Sequence, residues 1–253
     1  MKKRGKIYAI IPARGGSKSI PRKNILSFGG YPLVAYSIAA AKLAKKIDRI
    51  IVSTDDEKIA RVAKKFGAEV PFMRPKEISG DLSTDREFFV HAIKWFEKAE
   101  SEIPELMVHL RPTSPLRDPK HIDQAIDMIH KDAKATSLRS AYEVAARPQK
   151  FFLRENGYFV PLIQEDKKYE YHLTPRQMFP AAYNPDGYLD IVRSSRIFKN
   201  EDSLHGNKIL AFVSHNTGDI DHTNDLAYAE KLIADKEWLV YEYLKRHFPQ
   251  DTK

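Results

Sequence analysis

Ile7-Tyr8-Ala9-Ile10-Ile11-Pro12-Ala13-Arg14-Gly15-Gly16-Ser17-Lys18-Ser19-Ile20-Pro21-Arg22-Lys23-Asn24 joins an unbroken apolar run to a glycine-containing basic loop. Apolar at every position, the run predicts a strand over Ile7–Pro12 that is buried on both faces, as in a parallel sheet covered by helices. The paired glycines let successive N–H groups turn toward an anion without Cβ obstruction, and Arg14, Lys18, Arg22 and Lys23 supply countercharge. The stretch reads as a strand opening into a phosphate cradle, with a nucleoside triphosphate as its natural guest. The competing reading is a Gly-Gly turn with solvated basic residues. Neither Gly-x-x-x-x-Gly-Lys-Ser/Thr nor Gly-x-Gly-x-x-Gly follows the strand, so a P-loop ATPase and a dinucleotide dehydrogenase both lose ground.

Charge is distributed unevenly around this loop. Residues 1–47 carry eleven Lys or Arg and no acid; the rest carries 31 basic against 34 acidic residues. The net +8 therefore concentrates positive potential near the cradle, which suits a small polyanion. Nucleic acid is a minor alternative, because no zinc-finger spacing or aromatic RNA-binding motif accompanies the basic residues. The chain has 253 residues, 42% of them hydrophobic, enough for one large domain. It contains no cysteine, which excludes disulfides, thiolate zinc sites and thiol nucleophiles and is compatible with a reducing cytoplasm. Pro12 and Arg14 interrupt any signal-like segment after Met1-Lys2-Lys3-Arg4. The longest membrane candidate, Pro32–Ala41, falls short of the roughly 20 apolar residues a span needs.

Short β-rich runs alternate with helical patterns through the first half, which predicts βαβ units and a mostly parallel α/β sheet with helices on both faces. The expected strands are Ile7–Pro12, Arg49–Ser53, Glu69–Phe72, Leu106–Leu110 and Ala135–Ala141. Expected helices lie near Pro32–Lys46, Asp55–Phe66, Asp85–Lys98 and Pro119–Lys131, with Thr54, Thr84 and Asp118 as N-caps and Gly67 ending the second. Ligands collect beyond the carboxyl ends of such strands, so the loops Ala13–Asn24, Ser53–Asp56 and Arg111–Asp118 are expected to converge. After residue 141 the rhythm breaks. Phe151–Leu153 and Tyr158–Leu162 flank Glu155-Asn156-Gly157 as a hairpin, and Tyr169–Tyr188 is aromatic and irregular. We read residues 150–187 as an excursion from one domain over 1–253, forming a lid or a subunit contact, with a tethered surface loop as the competing reading. The core pattern resumes at Tyr188–Val192 and Ile209–Val213, followed by helices near Asn224–Ala234 and Lys236–Arg246.

Asp219 and Asp221 flank Ile220, so in an extended segment both carboxylates face one side, a geometry suited to a hard cation such as Mg²⁺. The alternative is a polar turn in which Asp221 caps the next helix. Asp55-Asp56 reads as a cap and its dipole partner. In Arg111-Pro112-Thr113-Ser114-Pro115-Leu116-Arg117 two guanidiniums in a stiff loop lean toward an anionic ligand, although Thr113, Ser114 and Asp118 also suit a turn and a helix cap. The nine histidines form no zinc-binding pair, and no Gly-x-Ser-x-Gly elbow is present.

Ile11–Lys18, Pro21–Asn24, Val52–Asp55, Arg74-Pro75, Arg111–Arg117 and Asp219–Asp221, in this order, resemble the acylneuraminate cytidylyltransferases. The resemblance implies a cytoplasmic, homodimeric, Rossmann-like nucleotidyltransferase. It implies Mg²⁺-dependent joining of CTP to a nine-carbon 3-deoxy-2-keto sugar acid, with release of pyrophosphate. On it, Ala13, Arg14, Gly15, Gly16, Ser17, Lys23 and Asn24 bind the triphosphate, with Arg14 and Lys23 neutralising charge during attack on the α-phosphorus. Arg74 and the Asp81–Thr84 loop, with Asp81 and Thr84 at its ends, meet the cytosine, and Asp219 and Asp221 hold the metal. Sugar-side positions are Arg111, Thr113, Ser114, Lys150, Arg176, Asn184 and Asp186. The sialic acid enzymes often have Gln at the position of Arg111 and Arg-Pro-Asn-Gly at the position of Asn184-Pro185-Asp186-Gly187, which points to a different nonulosonic acid, of the legionaminic or pseudaminic kind. CMP-Kdo synthetases, and a nucleotide or nucleic-acid binder without catalysis, are the alternatives.

Overall fold

The computed structural model describes residues 4–164, 170–197, 203–215 and 218–250; Tyr169 and Met1–Lys3 lie outside them. Its first strand, β1 (Ile7–Pro12), pairs in parallel with β4 (Arg49–Ser53) on one side and β5 (Leu106–His109) on the other. Alternate side chains of β1 enter different layers. Ile7, Ala9 and Ile11 join one core, while Tyr8 and Ile10 join a second. The first layer is built on α1 (Leu33–Leu43), α2 (Glu57–Lys65), α4 (Pro119–Lys131), α6 (Thr223–Asp235) and α7 (Leu239–His247). The second is built on α3 (Asp85–Glu100), whose Phe88, Phe89, Ile93 and Phe96 are buried, and the short α5 (Ser194–Ile197). Burial on both faces accounts for the unbroken apolar run.

Beyond β5 the sheet continues through β9 (Ala182–Arg193), β6 (Ser137–Val144) and β10 (Ile209–Val213), giving the order β10-β6-β9-β5-β1-β4. Only β9 runs antiparallel to its neighbours. Two short ribbons lie outside this sheet: β2 (Ser27–Phe28) with β3 (Tyr31–Pro32), and β7 (Phe152–Glu155) with β8 (Tyr158–Pro161). The β7–β8 turn is the expected one, with Asn156 at φ 49° and Gly157 at φ 88°.

Three expectations need correction. Glu69–Phe72 forms only a single bridge, Ile51 to Glu69, because the chain leaves the sheet edge at once to deliver Arg74 under β4. β9 starts six residues earlier than Tyr188, since Pro185 and Gly187 read as breakers but sit where the pairing with β6 shifts register, a place that tolerates both. Thr54 does not cap α2: Asp56 does, accepting from Lys58 N and Ile59 N, while Thr54 Oγ1 accepts from Asp56 N. Thr84 and Asp118 cap α3 and α4, and Gly67 follows α2 at φ 86°.

Arg117 is also not a ligand-facing arginine. It is fully buried, and its guanidinium donates to Tyr188 O, to Ser37 Oγ at 3.2 Å and to Arg111 O at 3.2 Å. Burial lowers its pKa to about 10. Arg117→Ala is expected to cost about 3 kcal/mol, since it leaves buried carbonyls unpaired beside a cavity; an unchanged urea midpoint contradicts this.

Candidate active site

The carboxyl ends of β1, β4, β5, β6 and β10 share one edge of the sheet, and the start of β9 lies there too. Between the loops at that edge is a cleft of about 570 Å³. Arg14, Lys18, Lys23, Arg74 and Arg111 line it, with Ser17 and Asn24 from the loop after β1 and Thr113 from the loop after β5. Gly80–Thr84 and Phe88 form the opposite wall, with Asp81, Ser83 and Thr84 among the lining residues. A second cavity, about 400 Å³, is lined by Asn184, Asp186, Asp219, Asp221, Asp225 and two tyrosines, Tyr142 and Tyr228. Asp221 lines both. The first cavity is rich in cations; among the described residues the second has carboxylates and no Lys or Arg.

Within the cradle the glycines act differently from the sequence expectation. Ala13 is buried with its N–H on Ser53 O at 2.9 Å, and Gly15 N donates to Asp55 Oδ1 at 2.9 Å, so neither N–H is free for a phosphate and neither residue lines the cleft. A Cβ on Gly15 would lie 2.9 Å from Asp56 Cβ; glycine is needed there for close approach to the start of α2. Gly16 has nothing within 4 Å of such an atom and likewise does not line the cleft. Asp55 is thus a tether for the loop rather than a helix-dipole partner. Asn24 Nδ2 donates to Arg14 O at 2.9 Å and closes the loop on itself.

Four of the five cleft cations, Arg14, Lys18, Lys23 and Arg111, are paired with acids. Arg14 donates to Gly80 O at 2.6 Å and pairs with Asp81 at 3.0 Å, and Lys18 pairs with Asp81 at 2.7 Å. These contacts join the cradle to the Asp81–Thr84 loop. Lys18, then Arg14, holds the Asp81 carboxyl below the usual range. Arg74, 6% exposed, is fixed to Ser53 Oγ and O at 3.0 and 2.7 Å and lies over Phe88 at 4.9 Å. Burial lowers its pKa to about 10, against the pull of Asp55 and Asp85. Arg111 bonds Asp85 at 2.6 Å. Burial opposes its charge, but Asp85 and Asp190 outweigh that and raise its pKa.

Lys23 Nζ lies 2.8 Å from Asp221 Oδ1, across 198 residues of sequence. The backbone N–H groups of Asp221 and His222 are both taken by Asp225 Oδ2, at 3.0 and 2.7 Å, and His222 is the N-cap of α6. The Asp221 side chain is therefore not spent on capping. Between the two aspartates, Ile220 is buried and its N donates to Thr113 O at 2.8 Å, which anchors this segment to the loop after β5. Burial raises the pKa of Asp219, a hydrogen bond from Thr113 opposes this and the Asp221 charge adds to it. Ser114, 1% exposed, stands beneath, 3.3 Å from Asp186 O and 3.5 Å from Asp219 Oδ1.

In the second cavity Asp186 is committed to the frame. It accepts from Ser140 Oγ at 2.6 Å, from Tyr188 N at 3.1 Å and from Ser214 Oγ. Asn184 Nδ2 donates to Tyr142 at 3.2 Å. Lys150 and Arg176 lie outside both cavities. Lys150 donates to His172 O at 3.0 Å within the excursion, and Arg176 is exposed. Sequence reasoning missed Asp85, Tyr142 and Tyr228 as parts of these walls, because a first-turn acid and two isolated tyrosines carry no local motif.

Nucleotide-type loops at the carboxyl edge, with basic and acidic chambers meeting at one carboxylate, place the chain among the α/β nucleotidyltransferases. The family model described as Cytidylyltransferase matches residues 8–245, and the chain belongs to that family. It is 34% identical over 230 residues to the pseudaminic acid cytidylyltransferase of Campylobacter jejuni serotype O:23/36, covering 90% of this chain and 96% of that protein. It is 30% identical over 232 residues to the CMP-N,N'-diacetyllegionaminic acid synthase of Legionella pneumophila, with the same two coverages. The solved CMP:2-keto-3-deoxy-manno-octonic acid synthetase complexed with CTP shares the fold, with a TM-score of 0.66 and 17% identity over 91% of this chain and 99% of that one. Among the described residues no helix is long and apolar enough to cross a membrane.

Proposed function

We propose that this protein transfers the CMP group of CTP to the anomeric hydroxyl of a nonulosonic acid of the pseudaminic or legionaminic type, releasing pyrophosphate. The carrying observation is Asp221, shared by a cation-lined cleft and an acidic cavity and 2.8 Å from Lys23. Five cations suit a triphosphate in the first chamber, and hydroxyl-accepting groups suit a polyol in the second. The full-length relatives named for pseudaminic and legionaminic acids support this choice of sugar, as does Asn184-Pro185-Asp186-Gly187, whose Asn184 and Asp186 line the acidic cavity; Arg111, expected on the sugar side, lines the cation-rich cleft instead. Rates of pyrophosphate release with CTP and pseudaminate, legionaminate, N-acetylneuraminate and Kdo test the assignment. A clear preference for one of the first two is expected; equal turnover of all four rejects a specialised pocket.

Asp219 and Asp221 fit Mg²⁺, because both carboxylates face one cavity and burial together with the Asp221 charge disfavours ionisation of Asp219, a cost that a hard cation relieves. Bound there, the ion supplies charge neutralisation to phosphate oxygens. Lys23 and Arg14 bind and orient the triphosphate by exchanging Asp221 and Asp81 for phosphate oxygens. Ser114 and Thr113 orient Asp219 from below. No covalent nucleophile from the protein is needed. We place the reaction in the cytoplasm, where CTP is made.

Among the described residues the acidic chamber has no cation for the sugar carboxylate, and the matched cations, Lys150 and Arg176, stand outside their own subunit's clefts. The excursion around them exposes Phe152, Tyr158, Phe159, Val160 and Met178, with Tyr158 and Phe159 at 77% and 75%. We therefore propose a homodimer in which a second copy covers this apolar hairpin and each excursion serves the partner's sugar chamber. Lys150→Ala is expected to raise KM for the sugar acid about tenfold with KM for CTP little changed. The reverse pattern rejects the role, and loss of melting temperature alone assigns Lys150 to its contact with His172.

A further inference from the structure

We propose that Asp190 is a positioning residue for the nucleotide cleft: from β9 it holds Arg111, and Arg111 holds Asp85 and with it the Asp81–Thr84 wall. The inference rests on reading that cleft as the CTP site.

Asp190 is 2% exposed, and Arg111 Nη1, Arg139 Nε and His109 Nδ1 converge on its carboxylate at 3.6, 3.6 and 3.7 Å, His109 and Arg111 from the end of β5 and the loop after it, Arg139 from β6. Its Oδ1 and Arg139 Nε are buried without a hydrogen-bond partner, as is His109 Nε2. Burial pushes the carboxyl up to about 6 and keeps His109 neutral, so the fold gains little from this acid in place of an aliphatic side chain like the adjoining Leu189 and Ile191.

What Asp190 does hold is Arg111. That guanidinium crosses β9 at Gly187, where a Cβ would come within 3.0 Å of Nη1, and its other end bonds Asp85 Oδ2 at 2.6 Å. Asp85 is the first residue of α3, directly after Thr84, whose capping box with Glu87 fixes the loop lining the cleft. Asp190–Arg111–Asp85 is thus a charge chain from the sheet to the wall opposite the cradle. Removing its inner anion frees Arg111 to swing and loosens that wall.

The test is calorimetric titration of Mg·CTP, without sugar acid, into wild type, Asp190→Asn, Asp85→Asn and the double variant. Each single variant is expected to weaken CTP about tenfold, and the double variant no more than either alone, because both act through Arg111. Asp190→Asn binding like wild type, or a double variant losing the product of both effects, overturns the inference. If Asp190→Asn does not fold, Asp190→Glu takes its place in the same cycle, with the same two criteria. Wild-type protein that binds no CTP refutes the nucleotide reading itself, which separates the two failures.

Discussion

Asp221→Asn is expected to lower CTP-dependent turnover by on the order of 10³-fold or more, while the folded protein persists. The side chain sits where the two chambers meet, and its neighbours show why nothing else substitutes. Asp225 is spent on the N–H groups of residues 221 and 222, and Asp186 is spent on Ser140, Ser214 and Tyr188 N. Among the described residues of the cavity, only the Asp219 carboxylate remains beside it, more deeply buried. Folding should tolerate the change. Asp221 is 60% exposed, its ion pair with Lys23 is of the kind worth about 0–1 kcal/mol, and its backbone is held by Asp225 whatever the side chain. The melting temperature is expected to stay within about 4 °C of wild type. Initial rates of pyrophosphate release across a Mg²⁺ series, with a thermal melt on the same samples, check both halves. Wild-type turnover removes Asp221 from the reaction.

Lys23→Gln is expected to cut turnover by about 10²–10³-fold, the usual cost of losing one charge-stabilising donor at a reacting group. The short helical turn Lys23–Ile25 follows Arg22 at φ 53°, and the Lys23 stem is buried, so its ammonium is aimed rather than mobile. A second consequence has the opposite sign. With Lys23 gone, Asp221 loses its competing cation, and Mn²⁺ should bind the nucleotide-free protein more tightly, by roughly up to fivefold. Electron paramagnetic resonance of free Mn²⁺ measures this without any turnover. Weaker Mn²⁺ binding in Lys23→Gln contradicts the exchange of Asp221 between lysine and metal.

The parts of this site visible in the sequence are those written locally. The apolar run ending at Pro12 specifies a strand buried on both sides, and the acid-free first 47 residues mark the cradle. Asp219-Ile220-Asp221 announces its geometry because a buried Ile220 forces the flanking carboxylates outward. Long-range partnerships were not legible. Nothing near Gly15 says that its N–H is taken by Asp55, 40 residues on, or that Arg117 turns inward to staple Tyr188, Ser37 and Arg111. Polar residues at the start of β9 hid six residues of strand, because Pro185 and Gly187 act as breakers only where pairing is regular. Asp190, within a core strand, looks like an error in an apolar pattern until Arg111, Arg139 and His109 are seen around it.

On the proposed function, the basic cleft and the acidic cavity together carry out one cytidylyl transfer. Phosphorus NMR of CTP with Mg²⁺ and pseudaminate or legionaminate follows that event directly. Loss of all three triphosphate resonances is expected, with growth of pyrophosphate and a single new phosphodiester signal, dependent on the sugar acid. Bound CTP that stays intact with both acids, or that yields CDP and phosphate, contradicts it.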